Sequence, residues 1–162
     1  MPLIVIESNS RQFPTECYEK RRDIVVTVKW PTANTDYVAA RHISFNTGEY
    51  PFFCYKWNPP LGGGKFDHIP RNNIIQADWE YWDDWFQLFD PKNEPSSGCC
   101  AVFSVVEYFK PETIGLMGFD YVLDNNTDWI HDARAERESI EQLADIIDLR
   151  DRRENNRRMK WQ

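Results

Sequence analysis

The chain has 162 residues, of which 41% are hydrophobic and 15% aromatic, and its formal net charge is −7. This length suits one domain with a single core, and the acidic balance excludes a protein whose whole surface coats nucleic acid. The longest apolar runs fall far short of the roughly 20 residues that span a bilayer, so the sequence predicts no membrane segment.

Two buried strands are predicted at the start of the chain. Leu3–Ile6 and Ile24–Val28 are continuous apolar runs rich in β-branched residues, the pattern of strands covered on both faces of a sheet. The polar turn Glu7–Ser10 follows the first run, and Lys29 follows the second. Ligands of open α/β sheets bind just beyond the carboxyl ends of the strands, so both polar positions are candidates for ligand binding.

The middle of the chain predicts weaker strands, a loop and an aromatic helix. Asp36–Ala40 and Phe52–Trp57 are candidate strands, and Asn58–Pro70 is a loop whose three glycines do not fit the Walker pattern. The next segment, Ile74–Asp90, has rings at helical spacing, which indicates either a partly buried surface helix or a stacking platform for bases or sugars. Its rings are Trp79, Trp82, Trp85, Phe86 and Phe89.

A long apolar helix is predicted next, with Ser96 or Ser97 as its cap and its end near Phe109. The adjacent Cys99 and Cys100 begin this helix, where neighbouring side chains diverge by about 100°, so we expect two small core residues rather than a disulfide. The four cysteines have neither a CxxC spacing nor zinc-ligand neighbours, which favours a reduced, cytoplasmic setting.

The last part of the chain predicts a strand and a helix. Thr113–Met117 is a buried strand followed by Gly118-Phe119-Asp120, and Asp132–Arg150 is expected to be helical, with a buried stripe at Ile140, Leu143, Ile146 or Ile147, and Leu149. The order of elements predicts an α/β fold: a single-domain, Rossmann-like three-layer sandwich with a mostly parallel sheet over residues 1–150.

A basic C-terminal tail, residues 151–162, follows the predicted domain. It indicates either a solvated helix end or a contact with the phosphate backbone of a nucleic acid. In the second case the nucleic acid is a possible acceptor substrate. The arginines that would make this contact are Arg152, Arg153, Arg157 and Arg158.

Three short motifs resemble the sialyltransferase-like glycosyltransferases, a bacterial family that uses CMP-activated sugars on a Rossmann-like sheet. They are Ser97-Gly98 before an apolar helix, the strand ending in Gly118-Phe119-Asp120, and His131 shortly before a final acidic helix. The likeness is continuous from Ser96 to about Ile147, while the glycines of the family's first turn are absent here.

The resemblance implies a glycosyltransferase whose donor substrate is a nucleotide-activated sugar and which needs no further cofactor. His131 would be the general base and Asp120 would bind a sugar hydroxyl. The residues implied to bind the nucleotide, without a metal ion, are Ser8, Asn9, Ser10, Lys29, Ser97 and Gly98.

Each of these residues also has a simpler interpretation. His131 can be an ordinary residue at a helix start where Asp132 is the cap, Asp120 can cap a loop, and Ser-Asn-Ser is a good turn sequence. Asp120, Asp124 and Asp128 could gather around Mg²⁺, but their spacing fixes no geometry. The alternative function is a non-catalytic accessory protein that binds a nucleotide or a partner on the same fold; the acidic, Trp-rich composition would also suit a phage-encoded protein.

Overall fold

A six-stranded, all-parallel sheet forms the centre of the protein. The structure is a computed structural model that describes residues 2–8, 23–28, 34–40, 45–46, 50–51, 70–76, 79–126 and 131–150. The described strands are β1 (Ile4–Glu7), β2 (Ile24–Val28), β3 (Tyr37–Ala40), β4 (Phe45–Asn46), β5 (Tyr50–Pro51), β6 (Ile74–Gln76), β7 (Thr113–Met117) and β8 (Asp145–Asp148). The large sheet has the order β6-β3-β2-β1-β7-β8, and β4 and β5 form a separate antiparallel pair.

Helices pack on this sheet. The described ones are α1 (Trp79–Phe86), α2 (Ser97–Phe109), α3 (Asp120–Leu123) and α4 (Ala133–Glu141), with short 3-10 turns at Arg71–Asn73 and Gln87–Phe89. None of the helices that the structure describes combines the length and apolar character needed to cross a membrane.

Both faces of the sheet carry buried clusters, because successive side chains of a strand point to opposite faces. Ile4 and Ile6 of β1 belong to the larger cluster, which includes residues of all four described helices. Val5 belongs to a smaller cluster with Val25, Met117 and Leu149. The predicted α/β, Rossmann-like arrangement with its parallel sheet is therefore confirmed.

Helix α2 is buried along most of its length, as its all-round apolar sequence predicts. Every residue from Cys99 to Val106 is buried. The hydroxyl of Ser96 caps the helix by accepting a hydrogen bond from the backbone N–H of Cys99 at 3.1 Å, and Lys110 ends it in the left-handed region at φ 51°. Cys99 and Cys100 are buried thiols that form no disulfide with each other, so their predicted role as core residues is confirmed.

The aromatic segment divides into a strand and a helix, so the prediction of one helix over Ile74–Asp90 was too long. Ile74–Gln76 pairs with β3 as an edge strand, and α1 begins only at Trp79. Trp82 is buried against Phe103, and its indole N–H donates to the hydroxyl of Ser104 at 3.0 Å. These contacts agree with a partly buried surface helix. Trp82 still lines a second cavity of about 310 Å³ together with Phe103 and Leu143, and the stacking interpretation stays a prediction.

The prediction of a helix over Asp132–Arg150 was wrong in its second half. Helix α4 ends at Glu141, and Asp145–Asp148 forms β8, which extends the sheet beside β7 with Ile146 opposite Ile114. The spacing of the apolar residues favours a helix, but the backbone hydrogen bonds gained by pairing with the edge of β7 stabilise a strand more strongly. As a result Ile147 is exposed, whereas Leu149, which follows β8, is fully buried in the smaller cluster with Val5, Val25 and Met117.

Some sequence predictions lie outside the described residues. They are the candidate strand Phe52–Trp57, all but the last residue of the Asn58–Pro70 loop, and the basic tail over residues 151–162.

Candidate ligand-binding site

The order of the strands creates a crevice at the carboxyl ends of β1 and β7. These two strands are neighbours, but β1 continues to β2 on one side of the sheet, whereas β7 continues to β8 on the other. Chain segments that leave in opposite directions open a crevice at such a switch point, and ligands of open α/β sheets bind there. The backbone N–H of Ser8, just after β1, donates to the carbonyl of Met117 at 2.8 Å and ties the two strand ends together.

A cavity of about 230 Å³ lies at this point. It brings together four of the residues predicted from the sequence, which come from three distant parts of the chain. This volume is below the roughly 300–1,000 Å³ of pockets that enclose a whole drug-sized ligand, so the cavity fits one moiety of a larger molecule. Its lining residues are Ser8, Val28, Ser96, Ser97, Gly98, Phe119, Tyr121 and His131.

The first turn of α2 forms one wall of the cavity. Ser97 and Gly98 belong to this turn, where backbone N–H groups and the helix dipole favour a negatively charged group. A Cβ atom at Gly98 would stand 3.0 Å from Cε1 of Phe119. Glycine therefore allows the start of α2 to approach the Phe119 ring, which also lines the cavity.

A rigid cap holds His131 beside the cavity. The next residue, Asp132, is the buried N-cap of α4, and its carboxylate accepts backbone hydrogen bonds from Ala135 at 3.2 Å and Lys92 at 3.0 Å. Burial alone would raise the pKa of Asp132, but the hydrogen bonds and the charges of Arg134 and Lys92 outweigh it and lower that pKa. Asp132 is thus the cap, as one interpretation of the sequence had it, while His131 itself lines the cavity next to the Tyr121 ring, at 6.3 Å between ring centroids.

A buried carboxyl group lies behind this wall. Glu136 of α4 is 0% exposed, and its Oε1 is 2.6 Å from the Tyr121 hydroxyl and within hydrogen-bonding distance of the Ser96 hydroxyl. Those two hydroxyl oxygens are themselves 2.6 Å apart. Burial raises the pKa of Glu136, even though its hydrogen bonds and the nearby His131 act in the opposite direction.

Sequence reasoning missed Glu136 and Tyr121. The buried stripe predicted for the last helix began at Ile140 and did not include Glu136, yet Glu136 lies four residues before Ile140, on the stripe that α4 buries. That spacing was the signal that could have identified it. Tyr121 follows the predicted strand end directly, but nothing in its neighbours on the chain indicates a partner on α4.

Asp120 does not line the cavity. It begins α3 with an exposed side chain, and its Oδ1 lies 3.4 Å from Arg150, which also contacts Asp124 at 2.8 Å and Asp148 at 2.8 Å. The hydrogen bonds from Arg150 lower the pKa of Asp148. Asp120 and Asp124 thus share a guanidinium group, and the part of the chain that the structure describes contains no cluster of three His, Cys, Asp or Glu residues arranged around a metal position.

The remaining predicted site residues lie outside the described residues and stay predictions. They are Asn9, Ser10 and Lys29, and Arg152, Arg153, Arg157 and Arg158 of the tail.

Comparison with known proteins finds no matching family model, no matching curated protein and no matching solved structure. The sialyltransferase-like assignment therefore stays a prediction, and function has to follow from the chemistry of the cavity itself.

Proposed function

We propose that this protein binds a nucleotide-activated sugar at the switch-point cavity and transfers the sugar to an acceptor hydroxyl, with His131 as the general base. One observation carries the proposal. Ser8, Ser97, Gly98 and His131 line a single cavity at the carboxyl edge of the sheet, although they belong to the end of β1, the start of α2 and the approach to α4.

The cavity's chemistry suits the phosphate and ring parts of such a ligand. The first turn of α2 offers backbone N–H groups to an anion, and the Ser8 and Ser97 side chains add hydroxyl groups. Val28 and Phe119 also line the cavity, and because both are almost fully buried they offer a ring only a small apolar patch. A cavity of about 230 Å³ holds one of these moieties, so the remainder of the ligand would extend out of its mouth.

His131 is suited to accept the proton of the attacking hydroxyl. A neutral imidazole can take up that proton near neutral pH, and it lies in the wall of the cavity rather than on open surface. The capped start of α4 holds its backbone in place, so the ring is presented to the ligand without a large cost of ordering.

Ligand binding can be tested by thermal stabilisation with CMP, UDP and their sugar conjugates. A ligand present at 100 times its dissociation constant stabilises the folded state by about 2.7 kcal/mol. Two variants of Ser97, in the first turn of α2, test whether the bound group is negatively charged. Ser97→Glu is compatible with the helix dipole but places a negative charge at the anion position, whereas Ser97→Gln is of similar size and uncharged.

We expect stabilisation of the wild type and of Ser97→Gln, and its loss in Ser97→Glu. If none of these nucleotides stabilises the wild type, the proposed function is wrong. Equal stabilisation of the two Ser97 variants would place the phosphate elsewhere.

Catalysis can be tested with His131→Ala and the nucleotide that binds. Loss of a general base typically reduces turnover by about 10²–10⁴-fold, so donor consumption should fall by this factor while the ligand-induced thermal shift is retained. Unchanged turnover in the variant would exclude His131 from the mechanism.

A non-catalytic nucleotide-binding accessory protein is the second candidate. The small size of the cavity favours it, as does a turn after β1 that lacks glycines and so limits how closely the backbone approaches a phosphate. Stabilisation by a nucleotide without any donor consumption by the wild type would support this candidate over the transferase.

A further inference from the structure

Three oxygen atoms behind the cavity wall form a triangle. They are Oγ of Ser96, the hydroxyl oxygen of Tyr121 and Oε1 of Glu136, and each lies within hydrogen-bonding distance of the other two. Ser96 and Tyr121 also line the cavity, whereas Glu136 is completely buried behind them. The triangle therefore connects a buried carboxyl group to the ligand site through two hydroxyl groups.

The triangle requires three protons. Each of its three oxygen pairs needs one proton between its members, since two lone pairs facing each other at 2.6 Å repel. The hydroxyls of Ser96 and Tyr121 supply two protons, so the third has to belong to the carboxyl group. With that proton on Oε1, every member donates once within a closed ring, and Ser96 still accepts the N–H of Cys99.

The other carboxyl oxygen supports the same conclusion. Oε2 of Glu136 is buried and receives no hydrogen bond from an N–H or O–H group of the described residues; the neighbouring Cys99 thiol is only a weak donor to this carboxyl group. A buried carboxylate with so little compensation is strongly disfavoured, whereas the carbonyl oxygen of a neutral acid bears far less charge.

The groups that face Glu136 fit a neutral acid. Tyr121 comes from α3, Cys99 from α2, and His131 precedes α4. Burial is the largest effect on the Cys99 thiol and on the Tyr121 hydroxyl and raises the pKa of both, so these two neighbours stay uncharged beside the carboxyl group. His131 is the neighbour that would favour ionisation of Glu136 if it carried a proton.

We propose that Glu136 is the proton store of the site, a positioning residue that delivers a proton to the leaving group through the Tyr121 hydroxyl. This inference rests on the proposed function. As the bond between the sugar carbon and the phosphate oxygen breaks, the electron pair stays on that oxygen, which takes the Tyr121 proton while Tyr121 takes the proton of Glu136. His131 takes the proton of the acceptor hydroxyl as its oxygen bonds to the sugar, so one proton enters the protein and one leaves.

The protonation state can be measured without any ligand. The protein is labelled with ¹³C at the glutamate carboxyl carbons. The resonance that is missing from the spectrum of Glu136→Gln belongs to Glu136, and its chemical shift is followed through a pH titration. Glu138 and Glu141 of the same helix are internal controls, since their side chains are exposed and paired with arginines. We expect Glu136 to remain protonated at pH values at which both controls are ionised; ionisation together with them would overturn the proposal.

The proton delivery is tested with Glu136→Gln and Tyr121→Phe in the presence of the nucleotide sugar. Glutamine can keep the hydrogen bonds of the triangle but has no proton to release, so we expect an unchanged ligand-induced thermal shift and a fall in turnover of about 10²–10⁴-fold. The wild type should lose activity as the pH rises through the pKa of Glu136, and the remaining activity of Glu136→Gln should lack this alkaline limb. Full turnover in Glu136→Gln with the wild-type pH profile would show a purely structural role and overturn the proposal.

The two measurements separate this inference from the proposed function. If no nucleotide binds, the proposed function fails and the transfer step fails with it, whatever the titration shows. If a nucleotide sugar is turned over but Glu136 is ionised with the controls, only the proton store is wrong.

Discussion

At the scale of single residues, Asp132 shows how one buried carboxylate fixes the position of its neighbour. It is 2% exposed, and it joins the segment before α2 to the start of α4 by accepting from the N–H groups of Lys92 and Ala135. Hydrogen bonds from backbone N–H groups to a carboxylate stabilise its charged form. The position of His131 in the cavity wall depends on this cap.

The replacement Asp132→Asn tests the charge of this cap. Asparagine is as good an N-cap as aspartate, so its amide oxygen should keep the hydrogen bond from Ala135, while the charge and the acceptor for the Lys92 N–H are lost. Because folding lowers the pKa of Asp132 below its usual 3.8, its charge contributes stability above that value and loses the contribution as the pH falls through the folded pKa. We expect the wild type to be more stable than the variant at neutral pH by about 1 kcal/mol, measured by urea unfolding.

The stability difference between wild type and Asp132→Asn should then disappear in acid. Asp84→Asn on the exposed face of α1 is the control for removing one negative charge, and it should change stability little at either pH. A difference for Asp132→Asn that grows as the pH falls would contradict the assignment of the stabilised charge.

At the scale of elements, the packing on β7 requires a glycine at position 115. Gly115 lies in the middle of β7 between β1 and β8, and a Cβ there would stand 3.0 Å from Cδ1, 3.2 Å from Cγ and 3.3 Å from Cδ2 of Leu149. Leu149 is fully buried, so its side chain cannot move towards solvent. The contact fixes how the chain after β8 folds back over the sheet.

We expect Gly115→Ala to destabilise the protein by about 1–3 kcal/mol through overpacking. Leu149→Ala alone should cost about 2–5 kcal/mol, because it leaves a cavity. In the double variant each change relieves the other, so its loss should be smaller than the sum of the two single losses by about 0.5–3 kcal/mol, as measured in a double-mutant cycle by urea unfolding. If the losses of unfolding free energy in the two single variants add up to the loss in the double variant, Gly115 and Leu149 are not coupled by packing.

The elements that could be predicted from the sequence are those whose pattern has one structural solution. β2, α2 and β7 are predicted almost to the residue, because a short β-branched run and a long apolar run behind a serine cap leave little choice. Asp145–Asp148 contains apolar residues that fit a helix and a strand equally well. What decides between them is the free edge of β7, more than 25 residues earlier in the chain, which local sequence does not reveal.

The candidate site divides in the same way. Ser97-Gly98 and His131 were implied by the resemblance, and the structure brings them to one cavity at the edge of the sheet where ligands of parallel sheets bind. The triangle behind them could not be predicted, since Ser96, Tyr121 and Glu136 come from three separate segments and meet only when α3 and α4 dock against the start of α2. Only the burial of Glu136 could be anticipated, from its place on the apolar stripe of α4.

At the scale of the whole molecule, α2 connects the site to the core. Its first turn forms the cavity wall, and its buried stretch lies against β2, β3 and β6. Any loosening of α2 would therefore open the cavity and the larger cluster together. We expect the sheet, α2 and the site to unfold as one cooperative unit, as small single domains usually do.

The thiols of α2 provide a probe of this unit. In a variant with Cys17→Ser and Cys54→Ser, the two remaining cysteines are Cys99 and Cys100, both 0% exposed. Burial also raises the pKa of the Cys99 thiol and so suppresses the reactive thiolate. A thiol reagent should leave both cysteines unmodified in the native protein.

As urea is added, both thiols should become reactive with the same midpoint as the loss of far-ultraviolet circular dichroism. Coincident midpoints follow if exposure of α2 requires the sheet to unfold as well. Reactivity at lower urea than the loss of secondary structure would mean that α2 detaches first, in a local opening of the kind that separates a helix from an intact sheet. In that case the cavity wall formed by α2 would be mobile in the folded protein. A ligand that binds at the first turn of α2 should then slow the modification of Cys99 and Cys100, and the rate of reaction with the same thiol reagent would measure this effect.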